Sequence, residues 1–445
     1  MTTPVQSESA RLLGTESAAR VRGGTGLMSA WDVDALAVGS VAAFADAVAA
    51  LLAAAGARTD AEVDGPLVAA WFRQALQPDG WSLPSPWDAV AGDYRAADGW
   101  IRLHTNAPRH REAALRVLGV EADRQAVAAR VATWAAEDLE SAVVDAGGAA
   151  AVMRSPEAWL AHPQGAASRR EPLVERLHTV AASTVWRPDA RRPLAGVRVL
   201  DLTRVIAGPV ATRALAALGA TVLRIDPPDW DEPGLTLDMT PGKLSARLDA
   251  RTSEGRERLG DLLAGADVLV HGYRRGALDP IGLGDAERQE IRPGLVEVAL
   301  TAYGWSGPWT ARRGFDSLVQ MSAGIAAEGM RAVGADAPVP LPVQALDHAT
   351  GWLMAAAAVA GLRDRLLGGS GSRAHLSLAR TAAELLPSPP TAAVPASDPP
   401  AAGSPISTPW GRARLLPLPL TLTGVDLRFD TGPTPLGSAE PVWPR

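Results

Sequence analysis

The sequence predicts an α/β protein: a Rossmann-like parallel sheet domain with helices on both faces, joined to a smaller helix-rich α+β domain. Three observations predict it. Between residues 193 and 386, short and near-continuous apolar runs alternate with helical patterns, as expected of parallel strands covered on both faces. Between residues 27 and 165, helical periodicity dominates around one strand signal, GWIRLHT at 99–105. Residues 166–192, which carry Arg and Pro and end in RPDARRP, separate the two patterns and read as a linker. At 445 residues the chain has room for two or three domains of roughly 100–200 residues each.

In chain order, residues 1–26 are polar, end in Arg-Gly-Gly-Thr-Gly and predict a flexible arm. Helices follow over 35–55, 67–76, 108–118, 124–133 and 136–146. Residues 33–57 are apolar enough to suggest a membrane span, but Asp46 at their middle costs on the order of 3 kcal/mol of insertion energy. They read as an amphipathic or buried helix of a soluble protein, with no membrane partner. In the second domain GVRVLDL (196–202) is the first strand, and AGPVATRALAALGA is a helix with Pro209 in its first turn. TVLRIDPP, DVLVHGY (267–273) and LVEVALTAYG (295–304) are further strands, with a helix over 253–264 between the first two. Helices over 315–328 and 349–366 precede a last strand, AHLSLART (374–381). Residues 387–445 read as a Pro-rich linker followed by a returning segment, LLPLPLTLTGVDLRFD, with the character of a strand pair.

Composition removes several function classes. A net charge of −6 and a pI near 5.7 argue against nucleic acid as a partner, because phosphate binding needs a basic face. The absence of cysteine excludes disulfides, thiolate nucleophiles and Cys-based metal sites. The seven histidines are scattered and no His-Glu-x-x-His is present, so no metal site is expected. No secretory leader pattern opens the chain, and a cytoplasmic location is the expectation. VIAGP after the first strand lacks the three-glycine dinucleotide fingerprint, and neither a Walker loop nor a nucleophile elbow is present. No bound cofactor is expected.

The stretch that carries chemistry is PVPLPVQALDHATGWLMAAAAVAGL, residues 338–362. Asp347 stands one residue past an apolar run and just ahead of a long Ala-rich helix. Helix N-termini present unpaired N–H groups and partial positive charge, so a carboxylate there is either a cap or a reactive group beside an anion site. His348 reads as a local hydrogen-bonding partner.

Five segments then occur in a telling order. PLAGVRVLDLTRVIAGPVATRALAALGATVLRID is followed by GADVLVHGYRRGALDPIGLG, AYGWSGPWTARRGFDSLVQMSAG, QALDHATGWLMAAAA and LSLARTAAELL. This series, spanning about residues 193–385, resembles the class III CoA-transferases of the CaiB/BaiF type, a family that also contains α-methylacyl-CoA racemases. The resemblance implies that Asp347 is the catalytic carboxylate, that an acyl-CoA and a carboxylic acid are the substrates, with coenzyme A as substrate and not cofactor, and that the reaction runs through a covalent aspartyl intermediate. It implies CoA contacts at Val205, Ile206 and Ala207, at Leu248 and Arg251 with Lys243 upstream, at Gly272, Tyr273 and Arg274, and at Arg313 and Asp316. It also implies a homodimer. Asp279-Pro280 stands where the family commonly carries Arg, which leaves Arg274 or Arg275 to substitute. The segment ADGWIRLHTNAPRHREAALRVLG resembles the family's small domain but precedes the sheet, so a permuted or fused order is inferred. Phe315 stands where the racemases carry His, which disfavours a racemase; a non-catalytic CoA-binding protein is a further alternative.

Overall fold

The computed structural model describes residues 2–181, 186–385 and 403–444. Its frame is a seven-stranded sheet: β1 (Glu175–Ala181), β2 (Arg198–Leu202), β3 (Thr221–Asp226), β4 (Lys243–Arg247), β5 (Val268–His271), β6 (Val296–Thr301) and β7 (Ser370–Ser377). The spatial order is β4-β3-β2-β5-β6-β7-β1, and every pairing is parallel except β7 with β1. Strands β2, β3, β5 and β6 are almost wholly buried because both faces are covered, which explains their continuous apolar runs. On one face Val199, Val222, Val270 and Val298 pack in the main core with the helices Ala207–Ala217, Ala345–Gly368 and Val33–Ala54. On the other, Leu200, Leu223 and Leu269 pack against Leu259 and Leu262 of the helix Ser253–Ala264.

Four expectations are corrected. Residues 1–26 are not a flexible arm over the described part. Thr3 caps a helix, Pro4–Leu13, whose Val5 and Leu13 are buried against Val33–Ala54, and Arg20–Arg22 pairs with Ala61–Asp64. Residues 27–165 do not form one small domain. The helix Val33–Ala54 is long and apolar enough to cross a membrane by composition, yet it is buried in the main core against Ala345–Gly368. The separate small core runs from Val90 to Val152 and consists of a three-stranded sheet with Pro108–Leu118, Arg124–Val131 and Ala136–Asp145 packed on it. The stretch read as a linker, 166–192, holds β1, an edge strand whose apolar content is too low to stand out. The strand β4 lies in a stretch read as a loop; its buried Lys243 and Ser245 mask the apolar signal.

The closing segment returns as expected, but each strand pairs with early chain: Gly411–Leu415 with Leu76–Pro78, and Leu420–Leu422 with Ala61–Asp64. Most of the expected linker lies outside the described residues; from its end, Ser404–Thr408 forms a strand beside Gly411–Leu415.

Asp46, buried in the middle of Val33–Ala54, is satisfied by the N-terminal segment. Its carboxylate accepts from Gln6 Nε2 at 2.9 Å and from the backbone N–H groups of Ala18 and Ala19 at 3.0 and 2.7 Å. Asp46→Ala strips these buried donors of their acceptor. Chemical denaturation is expected to show a loss of about 3 kcal/mol, because a buried donor left unpaired costs its desolvation, and limited proteolysis should then cut within residues 4–19.

Candidate active site

The site forms where the carboxyl end of β2 meets the N-terminus of Ala345–Gly368. After β2 the chain turns sharply through Thr203 to Ile206. Val205 has φ of 68°, the one non-glycine residue in the left-handed region among the described residues. For a β-branched residue that conformation costs of order 1–3 kcal/mol and persists only where the surroundings hold it. Here the Val205 N–H donates to Glu232 Oε2 at 3.0 Å, and Glu232 is itself paired with buried Arg224. The helix Ala207–Ala217 starts immediately after, and Gly351 lets the helix Ala345–Gly368 lie against the carbonyl of Ala207.

Asp347 lies in the first turn of that second helix, which starts at Ala345 and not at Ala349 as expected. Gln344 at its N-cap makes no side-chain cap hydrogen bond. The cap comes from elsewhere: Asp316 Oδ2 accepts the Asp347 backbone N–H at 2.9 Å, and Asp316 Oδ1 accepts from Gln320 Nε2. Asp316 opens its own helix, Asp316–Ser322, yet its carboxylate serves the neighbouring one. Among the described residues no hydrogen-bond donor pairs with the Asp347 carboxyl. Both carboxyls are almost fully buried, at 7% and 1% exposure for Asp347 and Asp316. Burial pushes Asp316 up to about 6, and burial together with the Asp316 charge pushes Asp347 well above the ordinary carboxylate range.

A cavity of about 380 Å³ opens in front of Asp347. Five arginines line it: Arg109, Arg204, Arg274, Arg312 and Arg313. Arg312 is held by Glu140 at 3.0 Å and stacks 3.9 Å from the Trp309 ring. Arg204 lies between the rings of Trp230 and Tyr273, at 5.0 and 5.7 Å. Arg109, Arg274 and Arg313 form no ion pair among the described residues. Arg109 and Arg313 both have their proton affinity lowered, first by burial and then by the neighbouring arginines. Three guanidinium groups outside any ion pair among the described residues suit a polyanion, since phosphate oxygens satisfy the fork and cancel the repulsion.

Residues 194–408 match CoA-transferase family III. Three relatives agree. An acetyl-coenzyme A transferase of Hypoxylon pulicicidum is 30% identical over 65% of this chain and 53% of its own length. A succinyl-CoA:glutarate CoA-transferase of Mus musculus is 34% identical over 41% of this chain and 44% of its own. A probable fatty acyl-CoA transferase of Mycobacterium tuberculosis is 33% identical over 39% and 47%. The chain carries a CoA-transferase family III region. It spans about half the length of the curated relatives it matches.

Within this family III region the structure brings together Asp347, Val205, Ala207, Gly272, Tyr273, Arg274 and Arg313 around one cavity. Ile206 stands beside them as the N-cap residue of Ala207–Ala217, and Asp316 lies behind Asp347 as its tertiary cap. Leu248 and Arg251 do not reach the cavity. Leu248 packs on the core beneath β3, and Arg251 is spent on Asp249 at 2.7 and 3.0 Å on the surface. Lys243 is not a surface phosphate contact either: it is fully buried, 3.1 Å from Asp201 and 3.0 Å from the Pro209 carbonyl. His348 stacks on Phe72 at 4.9 Å and its Nδ1 has no hydrogen-bond partner among the described residues, so the expected local bond is absent. Arg275 lines a neighbouring pocket only, whereas Arg274 lines both that pocket and the arginine cavity.

Arg109, His110, Arg204, Trp230 and Arg312 also line the cavity without having been expected there. Arg109 and His110 come from the small core, at the start of Pro108–Leu118. Their signal is the run Arg109-His110-Arg111 in a first helical turn, where positive charge opposes the helix dipole and therefore calls for a reason beyond the helix.

Carboxyls with raised folded-state pKa values favour folding below about pH 4 and oppose it progressively as pH rises through about 6. Asp347→Asn cannot ionise. Its melting temperature is expected to overtake that of the native protein as pH rises from about 4 to about 8; thermal unfolding across that range checks the sign.

Proposed function

We propose that the chain moves CoA between an acyl-CoA thioester and a carboxylic acid, with Asp347 as the nucleophile. The observation that carries the reading is a buried carboxyl that, among the described residues, has no hydrogen-bond donor and shares one cavity with three arginines in no ion pair. The arginines suit the diphosphate and 3′-phosphate of CoA, and the names of the relatives point to the same chemistry. An ionised Asp347 oxygen attacks the thioester carbonyl; the C–S bond breaks and CoA leaves as thiolate, giving an acyl–aspartyl anhydride. The thiolate then attacks the aspartyl carbonyl, releasing the first acid and forming an aspartyl-CoA thioester. The acceptor carboxylate repeats the two steps in reverse and restores Asp347. Developing negative charge on each tetrahedral oxygen is offset by the arginines and by the partial positive charge of the helix N-terminus.

A second reading, α-proton exchange, draws on His110. Burial and then Arg109 push its imidazole down to about 4, so a neutral base faces the cavity that Asp347 also lines. Phe315, stacked 3.7 Å from His104 and edge-on to His110 at 5.8 Å, occupies the racemase base position.

Mass spectrometry after mixing with an acyl-CoA and trapping with hydroxylamine is expected to map the adduct to Asp347. Asp347→Ala should abolish CoA exchange, and full activity in that variant overturns the assignment. Arg109→Met should raise the KM for acyl-CoA roughly tenfold while leaving kcat near its native value, the loss of one charge-assisted contact. A chiral 2-methylacyl-CoA incubated in heavy water should take up no deuterium at its α-carbon; steady uptake, lost in Asp347→Asn, moves the assignment to the racemase. CoA binding without any adduct from a panel of acyl-CoAs leaves the non-catalytic reading.

A further inference from the structure

A second cavity of about 240 Å³ lies between the small core and the helix Asp316–Ser322, and it shares no lining residue with the arginine cavity. Half of its lining residues are apolar: Trp87, Met321, Ala326, Pro338 and Pro340. The other half is polar: Asp93, Arg102, Ser317, Gln320 and Gln344. Ser317 is 6% exposed, and neither its Oγ nor the Nε of Arg102 makes a hydrogen bond among the described residues. A buried hydroxyl and guanidinium N–H left unpaired carry a desolvation cost that a ligand oxygen would remove.

The guanidinium is already oriented. Arg102 Nη1 is held by Asp93 at 2.7 Å, and the Trp87 ring lies 4.9 Å away. What remains is the Nε–Nη2 edge, the fork that a carboxylate takes bidentately. Asp93 lines the cavity as well and cancels much of the arginine charge, which restricts the occupant to a single negative charge. The volume sets the body: a dry cavity of about 150 Å³ holds one benzene ring. We propose that this cavity binds a monocarboxylate whose apolar body is about one aromatic ring in size, with its carboxylate on Arg102 and Ser317. The site goes beyond the CoA reading and stands without it. It touches the same machinery through Gln320, which lines the cavity while holding Asp316 Oδ1 and the Leu341 N–H.

The test is titration of benzoate into the full chain, followed by calorimetry or ligand-observed NMR, with benzyl alcohol as the uncharged body of the same size. Benzoate is expected to bind in the millimolar range or tighter, and benzyl alcohol roughly tenfold more weakly. Arg102→Met should weaken benzoate roughly tenfold. Ser317→Ala, which removes the hydroxyl and adds no bulk, should weaken it as well and serves where Arg102→Met does not fold. Arg109→Met should leave it unchanged. Absence of benzoate binding, equal binding of benzyl alcohol, insensitivity to the cavity variants, or loss in Arg109→Met each overturns the proposal; the last puts the ligand in the arginine cavity.

Discussion

The site depends on an absent side chain. A Cβ at Gly351 would lie 2.5 Å from the Ala207 carbonyl oxygen and 2.8 Å from Val210, so only glycine lets the helices Ala345–Gly368 and Ala207–Ala217 approach this closely. That approach brings Asp347 onto the strained turn at Val205. The same device recurs along the long helix, where Gly361 meets Ser372 of β7 and Val296 of β6. Gly39 does likewise on Val33–Ala54, facing Thr3 and Val5. Helices buried all round, rich in Ala and punctuated by Gly, are how this chain builds a dense core with few aromatic residues. Enlarging such contacts costs typically 1–3 kcal/mol in forced displacement, and at Gly351 the displaced group is the carboxylate itself.

Charge is arranged in two opposed ways within one small volume. Asp201 is fully buried with Lys243 at 3.1 Å, and Thr203 and Thr212 each donate to it at 2.5 Å. Although burial pushes its carboxyl up, Lys243 and Arg224 hold it below the ordinary range. That pair is closed: each member is compensated, and it ties β2, β4 and the helix Ala207–Ala217 together beneath the cavity. The pair Asp316 and Asp347 is open, two acids facing each other with helix N–H groups on one side and the cavity on the other. Satisfied charge builds the floor, and unsatisfied charge is left where a ligand arrives.

The sheet was legible because its strands are apolar on both faces, and the helices Pro108–Leu118 and Ser253–Ala264 were legible to the residue because Pro, Thr and Gly punctuate their ends. The elements that escaped are those whose polarity is answered by tertiary partners: β4 with buried Lys243, edge strand β1, and Pro4–Leu13, where Gln6 is buried against Asp46. The site divides in the same way. Asp347 and the loops after β2 and β5 follow the order of motifs along the chain. Arg109 and His110 come from a different core, and nothing in sequence spacing reports which surface of one core faces the other.

The interleaving of early and late chain has a consequence for biogenesis. Synthesis proceeds from the N-terminus, at about 5–20 residues per second. The apolar helix Val33–Ala54 emerges long before Ala345–Gly368, its principal partner, and before Leu420–Leu422, which pairs with the adjoining strand Ala61–Asp64. For roughly 15 to 60 s the nascent polypeptide therefore presents a helix with the hydropathy of a membrane span whose principal partner is not yet made. Until that partner is made, the exposed apolar face is the kind of surface that chaperones bind.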